Sequence, residues 1–252
     1  MLGAALDIFS KTGFAFLSRW SHVVFGITWI GLLYYFNFVQ VPAFAEMEAA
    51  ARNNAIDKLA SRALWWFRWA AVATVVSGLL ILGFQEQLDD MDYFKSAPGM
   101  AIAVGILLAL TMFVNVWGII WRNQKIVIAS AVQVRGGGEP LPEAAAAGRR
   151  AGMASRQNVF FSVTMIWFMT FTSHYSFSYD TSSGGARGVY WAITVIILAA
   201  LEANALGVIG GGFKPAAEAP TNWPYETVRN VLISSFVLWA VFWLMWEILF
   251  AP

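Results

Sequence analysis

Cysteine is absent from all 252 residues of this chain, and histidine occurs only twice, as His22 and His174. The first absence removes disulfides, iron–sulfur clusters, thiolate zinc sites, cysteine nucleophiles and covalently attached c-type haem. The second means that any protein-ligated metal or cofactor iron must use those two imidazoles, carboxylates, or both. Charge is scarce as well: Asp, Glu, Lys and Arg make up 12% of the chain, where a soluble domain carries about a quarter. With 16 basic against 15 acidic residues, no general basic field points to nucleic acid or to an acidic substrate. Walker loops, a GxGxxG after a strand, HExxH and a nucleophile elbow with triad partners are all missing, which excludes soluble-type hydrolysis and nucleotide chemistry. The run Gly210-Gly211-Gly212 follows an apolar segment rather than a strand and reads as a turn.

What is present is apolar. Hydrophobic residues make up 59% of the chain, the mean hydropathy is +0.61, and the few charges gather between long apolar runs. Such a surface belongs in lipid. A window of about 19 residues finds six segments long enough to cross roughly 30 Å of hydrocarbon. They fall at about 20–41, 64–84, 100–121, 158–175, 189–209 and 228–250, and Pro42 is expected to stop the first. None alternates with period two, so each must satisfy its own backbone as a helix. The expected fold is therefore an all-α integral membrane protein, a single domain over 1–252 with six transmembrane helices in a bundle.

Lys and Arg counts set the expected orientation, because cytoplasmic loops retain positive residues. The first, third and fifth loops with their helix ends hold Arg52, Lys58, Arg62, Arg68, Arg122, Lys125, Arg135, Arg149, Arg150, Arg156, Lys214 and Arg229. Only Lys11, Arg19, Lys95 and Arg187 lie on the other side, which places both termini outside, N-out and C-out. Residues 1–18 lack the layout of a cleaved signal and read as a short interfacial helix. Residues 122–157, with three glycines, Pro140, Pro142 and an alanine run, read as a mobile cytoplasmic connector between two three-helix halves.

His22 lies near the outer end of the first span and His174 near the outer end of the fourth, so opposite chain directions bring both to one depth. One imidazole on each of two apolar helices suits bis-histidine ligation of a b-type haem, with Gly26 one turn from His22 leaving room for a flat macrocycle. Two other readings stay open. Both rings can be interfacial hydrogen-bonding groups that bind nothing, or each can hold a separate pigment or a mononuclear metal with carboxylate help. Glu202 and Glu247 lie within spans and must face the bundle, water or a basic partner. Arg68 or Arg122 is the expected partner of Glu202, whereas Glu247, at the depth of the histidines, is a candidate to orient an imidazole or relay a proton. Trp20, Trp65, Trp66, Trp69, Trp121, Trp223 and Trp246 read as interfacial anchors, and Phe171 and Trp167 as residues lining either a cofactor cleft or a helix contact. Asn37, Gln40 and Asn115 read as interhelical hydrogen-bond partners.

Three stretches, RWSHVVFGITWIGLLYYFNFVQVPAF, MFVNVWGIIWRNQKIV and RQNVFFSVTMIWFMTFTSHYSF, together resemble the membrane domain of the cytochrome-c-linked urate hydroxylase (urate oxidase) family. His22, Gly26, Trp29 and Gly31 match the family's R-W-x-H-V-x-x-G-x-x-W-I-G pattern. His174 matches the histidine closing its fourth-helix segment, and Asn123, Gln124 and Lys125 match its N-Q-K element. The likeness covers the first four spans, the last two only by hydropathy. It implies a membrane oxidoreductase subunit in the bacterial inner membrane, with haem b on His22 and His174 as iron ligands. Fused members carry a cytochrome c domain outside the membrane; this chain contains no CxxCH, so the resemblance implies a separate periplasmic cytochrome c as electron partner. Against this electron-transfer reading stands a cofactor-free accessory subunit of a larger respiratory, photosynthetic or monooxygenase complex. A small transporter using Glu202 and Glu247 comes third, because no span is broken by an internal Gly-Pro pair.

Overall fold

The structure is a computed structural model that describes residues 6–252. Among the described residues all regular structure is helical, carried by six long helices: α1 Lys11–Glu46, α2 Ala49–Phe84, α3 Ala97–Arg135, α4 Ala144–His174, α5 Gly184–Ala205 and α6 Val228–Phe250. Four begin at a side-chain cap that satisfies an otherwise unpaired amide: Ser10 accepts from Gly13, Ser96 from Gly99, Ser183 from Ala186 and Thr227 from Asn230.

Five of the six are long and apolar enough to cross a membrane: α1, α2, α3, α5 and α6. Their outward faces carry Ile27, Leu79, Val114, Ile196, Leu244 and Ile248, all more than half exposed, as suits contact with lipid. The sixth, α4, is less apolar for a structural reason. Gln157 to Ser162 are buried at six consecutive positions, and at 100° per residue these point in every direction. α4 is therefore the axis of the bundle, packed by α1, α3, α5 and α6, and its Ser155, Asn158 and Ser162 bond to neighbouring helices.

Several boundaries differ from those expected. The connector 122–157 is mostly helix: α3 continues to Arg135 and α4 starts at Ala144, leaving only 136–143 between them. Alanine, glutamine, lysine and arginine form helix readily once outside the apolar window, and Arg135 pairs with Asp57 across to α2. At the N-terminus, residues 1–5 lie outside the described residues. Asp7–Phe9 forms one 3₁₀ turn, and the rest of the expected interfacial helix is the first turns of α1.

Pro42 does not end α1. Residues Tyr35–Gln40 form a π-helical segment, closed by Val41 N–H donating to the Phe36 carbonyl, and the helix runs through Pro42 to Glu46. Widening by one residue moves the carbonyl that the proline ring would otherwise strike. Similar segments occur at Ile56–Ala60 in α2 and Asn115–Ile120 in α3.

Of the expected tryptophan anchors, Trp20, Trp65, Trp66, Trp69 and Trp223 are exposed. Trp121 instead stacks beneath the Arg68 guanidinium at 3.4 Å. Trp246 is a core residue, fully buried against Phe168, Phe171, Tyr190 and Phe250.

Candidate functional site

His22 faces α2. Its Nδ1 lies 2.8 Å from the Thr74 carbonyl and 3.4 Å from Ser77 Oγ, and its ring rests against Gly78. A carbonyl oxygen only accepts, so Nδ1 carries the proton and Nε2 keeps its lone pair. His174 is arranged alike on its own helix: Nδ1 donates to the Thr170 carbonyl at 2.9 Å, again leaving Nε2 as the basic nitrogen. A histidine that ligates a metal through Nε2 is oriented by this same outer hydrogen bond.

α1 and α4 run antiparallel. Tyr34 OH meets Ser162 Oγ at 2.9 Å, and Asn37 Nδ2 donates to Ser155 Oγ at 2.8 Å. Carried outward along both helices, that register sets His22 opposite residues 170–174. Outward of Ser162 the same stripe of α4, Ile166, Thr170 and His174, is exposed, so the two helices no longer cover one another there. Gly26 has open space where a Cβ would stand. The imidazoles are nevertheless anchored on different elements, His22 on α2 and His174 on α4.

Glu247 does not orient either histidine. Its Oε1 accepts from Tyr179 OH at 2.5 Å and from Trp243 Nε1 at 2.8 Å. Burial and that bond to Glu247 raise the Tyr179 hydroxyl above its ordinary range. Glu202 has no arginine partner: its Oε2 accepts from Asn115 Nδ2 at 3.2 Å, while Arg68 spends its charge on the rings of Trp117 and Trp121. Asn115 also donates to Asn158 Oδ1 at 3.0 Å, and Asn158 to the Met112 carbonyl at 2.9 Å, so Asn37 and Asn115 do link helices as expected. Gln40 differs; its Oε1 is buried without a partner.

No protein-family model, curated protein or solved structure matches this chain. The site therefore rests on geometry alone. Among the described residues no group of three or more His, Asp or Glu side chains could hold a metal ion, so a mononuclear metal with carboxylate help lacks its ligands. Of the N-Q-K element, Asn123 bonds the Ile119 carbonyl of its own helix, Lys125 lies near the Trp121 ring, and Gln124 lines a cavity of about 260 Å³ with Asn37, Gln40, Ser155 and Arg156. The sequence reading missed Tyr179, the partner of Glu247, and three buried hydroxyls, on Thr164, Tyr190 and Thr194. Tyr179 lies 68 residues from Glu247, a separation at which no local pattern announces a contact.

Proposed function

We propose that the chain is a membrane redox subunit that holds one b-type haem between His22 and His174 and exchanges electrons with a periplasmic cytochrome or a larger membrane complex. The observation that carries this reading is the matched state of the two imidazoles: each Nδ1–H is committed to a backbone carbonyl, which leaves each Nε2 free to be a ligand. Gly26 and the uncovered outer stripe of α4 give a flat ring somewhere to lie. Bound there, haem would supply a one-electron carrier in an apolar setting. The chain's own part is to fix both tautomers and to keep the rings from rotating.

The same proposal takes α4 as a sixth span, with both termini outside the bacterial cytoplasmic membrane. Its support is the gathering of Lys and Arg in the first, third and fifth loops. Because the chain has no cysteine, single cysteines placed at Asp180 and Ala217 can be labelled from either side without background. Labelling of Asp180→Cys from outside and Ala217→Cys from inside is expected, and the reverse pattern overturns the orientation.

The deciding experiment is a dithionite-reduced minus oxidised spectrum of native membranes containing the protein, followed by a pyridine haemochrome assay. A b-type α-band lost in His22→Ala and in His174→Ala, with the protein still inserted, is the expected result. A featureless wild-type spectrum refutes it. That outcome favours the accessory-subunit reading, which the uncovered stripe of α4 supports independently as a seat for a partner helix.

A further inference from the structure

Threonines in these helices usually satisfy themselves by bonding to the carbonyl four residues back. Thr74 donates to Ala70, Thr111 to Leu107 and Thr170 to Ile166 at 2.7–3.0 Å. Thr164 and Thr194 do not, although both are fully buried; the Thr164 hydroxyl has no partner and that of Thr194 only the neighbouring Tyr190 hydroxyl. The Gln157 amide nitrogen and the Trp246 indole nitrogen are likewise fully buried and unpartnered, and the buried Tyr190 hydroxyl has only the Thr194 hydroxyl beside it. An unmade hydrogen bond on a buried polar group costs about 1–3 kcal/mol, so these groups on α4, α5 and α6 need an explanation.

The helices that carry them are tied to one another. Tyr225 OH donates to Gln157 Oε1 at 2.6 Å and lies 3.4 Å from the Leu201 carbonyl, while Asn115 ties Asn158 on α4 to Glu202 on α5. These ties set the antiparallel register of α4 and α5. Seven residues further along each helix, Thr164 arrives at the level of Thr194. Tyr190, Thr194 and Glu202 lie on one stripe of α5, spaced by whole turns through Leu198. At the far end the Tyr190 ring packs on Trp246, with centroids 5.4 Å apart, and Trp246 adjoins Tyr179, which bonds Glu247. Two membrane-depth carboxylates thus stand at opposite ends of a stripe that holds Thr164, Thr194 and Tyr190.

We propose that the α4–α5–α6 interface is a proton-conducting file, in which internal water on Thr164, Thr194 and Tyr190 connects Glu202, at the Lys/Arg-rich end, to the Tyr179–Glu247 pair at the other. Two or more polar partners per position are what a buried water requires, and chains of carboxyl and hydroxyl groups are the usual means of moving protons through a bilayer. In one passage the Glu202 carboxyl gives up its proton and keeps its hydrogen bond from Asn115 as a carboxylate. O–H bonds and hydrogen bonds exchange along the file, the Glu247 carboxylate takes up a proton and releases it outward, and Glu202 is reprotonated from its own side. No electron moves. Tyr225 is the titratable side chain beside Glu202, and among the described residues no Lys or Arg bonds to it. The file uses neither histidine and does not depend on a haem.

The test is proton flux into proteoliposomes loaded with a pH-sensitive dye and driven by a potassium diffusion potential. Wild type is expected to acidify the lumen faster than protein-free vesicles. Glu202→Gln and Thr194→Val are each expected to fall to the protein-free rate, and Thr111→Val, whose hydroxyl bonds only its own helix, to keep the wild-type rate. Reconstituted yield and circular dichroism confirm that each variant inserted folded. Wild-type flux equal to that of empty vesicles overturns the proposal without reference to any variant, as does undiminished flux in Glu202→Gln.

Discussion

Adding one methyl group at Gly78 probes the wall against which His22 is held. A Cβ there would stand 3.1 Å from His22 Cε1 and 3.3 Å from Nδ1, closer than ordinary van der Waals contact. The ring must retreat by a few tenths of an ångström, and the 2.8 Å bond from Nδ1 to the Thr74 carbonyl lengthens as it goes. Crowding of this kind costs about 1–3 kcal/mol, and weakening the hydrogen bond adds up to about 1 kcal/mol. Against this, alanine is favoured over glycine in a helix by about 1 kcal/mol. Gly83 is the control, five residues further along the same helix with open space at its Cβ position. Gly83→Ala should be neutral or stabilising, and Gly78→Ala should be the less stable of the two by about 1–4 kcal/mol. The assay is reversible unfolding in mixed micelles, read by circular dichroism. Equal stability of the two variants would refute the packing of His22 against α2, and with it the argument that the imidazole tautomer is fixed there.

Two further outcomes follow from the hydrogen bonds. Asn115→Ala and Asn158→Ala should each destabilise by about 1–3 kcal/mol, because each leaves a buried amide or carbonyl short of a partner, and the double variant should cost less than the two together. Additive losses would mean that the two amides do not act as a unit. At the membrane surface, the hydrogen bond and charge of Lys11 hold the Glu86 carboxyl below the usual carboxylate range. A depressed pKa stabilises the fold above the unfolded-state value, and that contribution is lost as pH falls through the folded value. The Glu86 carboxyl carbon should titrate with a midpoint below that of a free glutamate and return to it in Lys11→Met. A wild-type midpoint at the ordinary value would dismiss the tie between the start of α1 and the end of α2.

The apolar spans were legible because lipid contact constrains composition directly, and five of the helices meet that constraint over their whole outer face. The same window marked 158–175 of α4, but the whole helix does not meet that constraint, since a helix at the axis of a bundle has no need of an apolar surface. Residues 122–135 and 144–157 read as loop because they are polar, yet polarity marks the edge of the lipid and not the end of a helix. Pro42 read as a stop because nothing in the sequence marks a π-helical turn that makes room for it. Trp246 looked like an anchor by its position near a helix end, but rotation about the axis decides whether an indole meets headgroups or Phe168 and Tyr190. The two histidines were legible as residue types at a depth. Their partners were not, because the acceptors are backbone carbonyls of Thr74 and Thr170, and a carbonyl carries no sequence signature.

The π-helical segments of α1, α2 and α3 have a consequence for how these helices tolerate change. Each holds one residue more than an α-helix needs, and its wider turn takes up the rotation of about 100° that the extra residue would otherwise add. Deleting a single residue within 35–40 would let that stretch relax to an ordinary helix and leave Val41–Glu46 facing its surroundings as before. His22 to Leu33, on the other side of the segment, would stay where they are. Length changes can therefore be absorbed locally, and the histidine-bearing half of α1 and the half that meets the charged loops can diverge in sequence as separate units, with the wide turn between them as a joint.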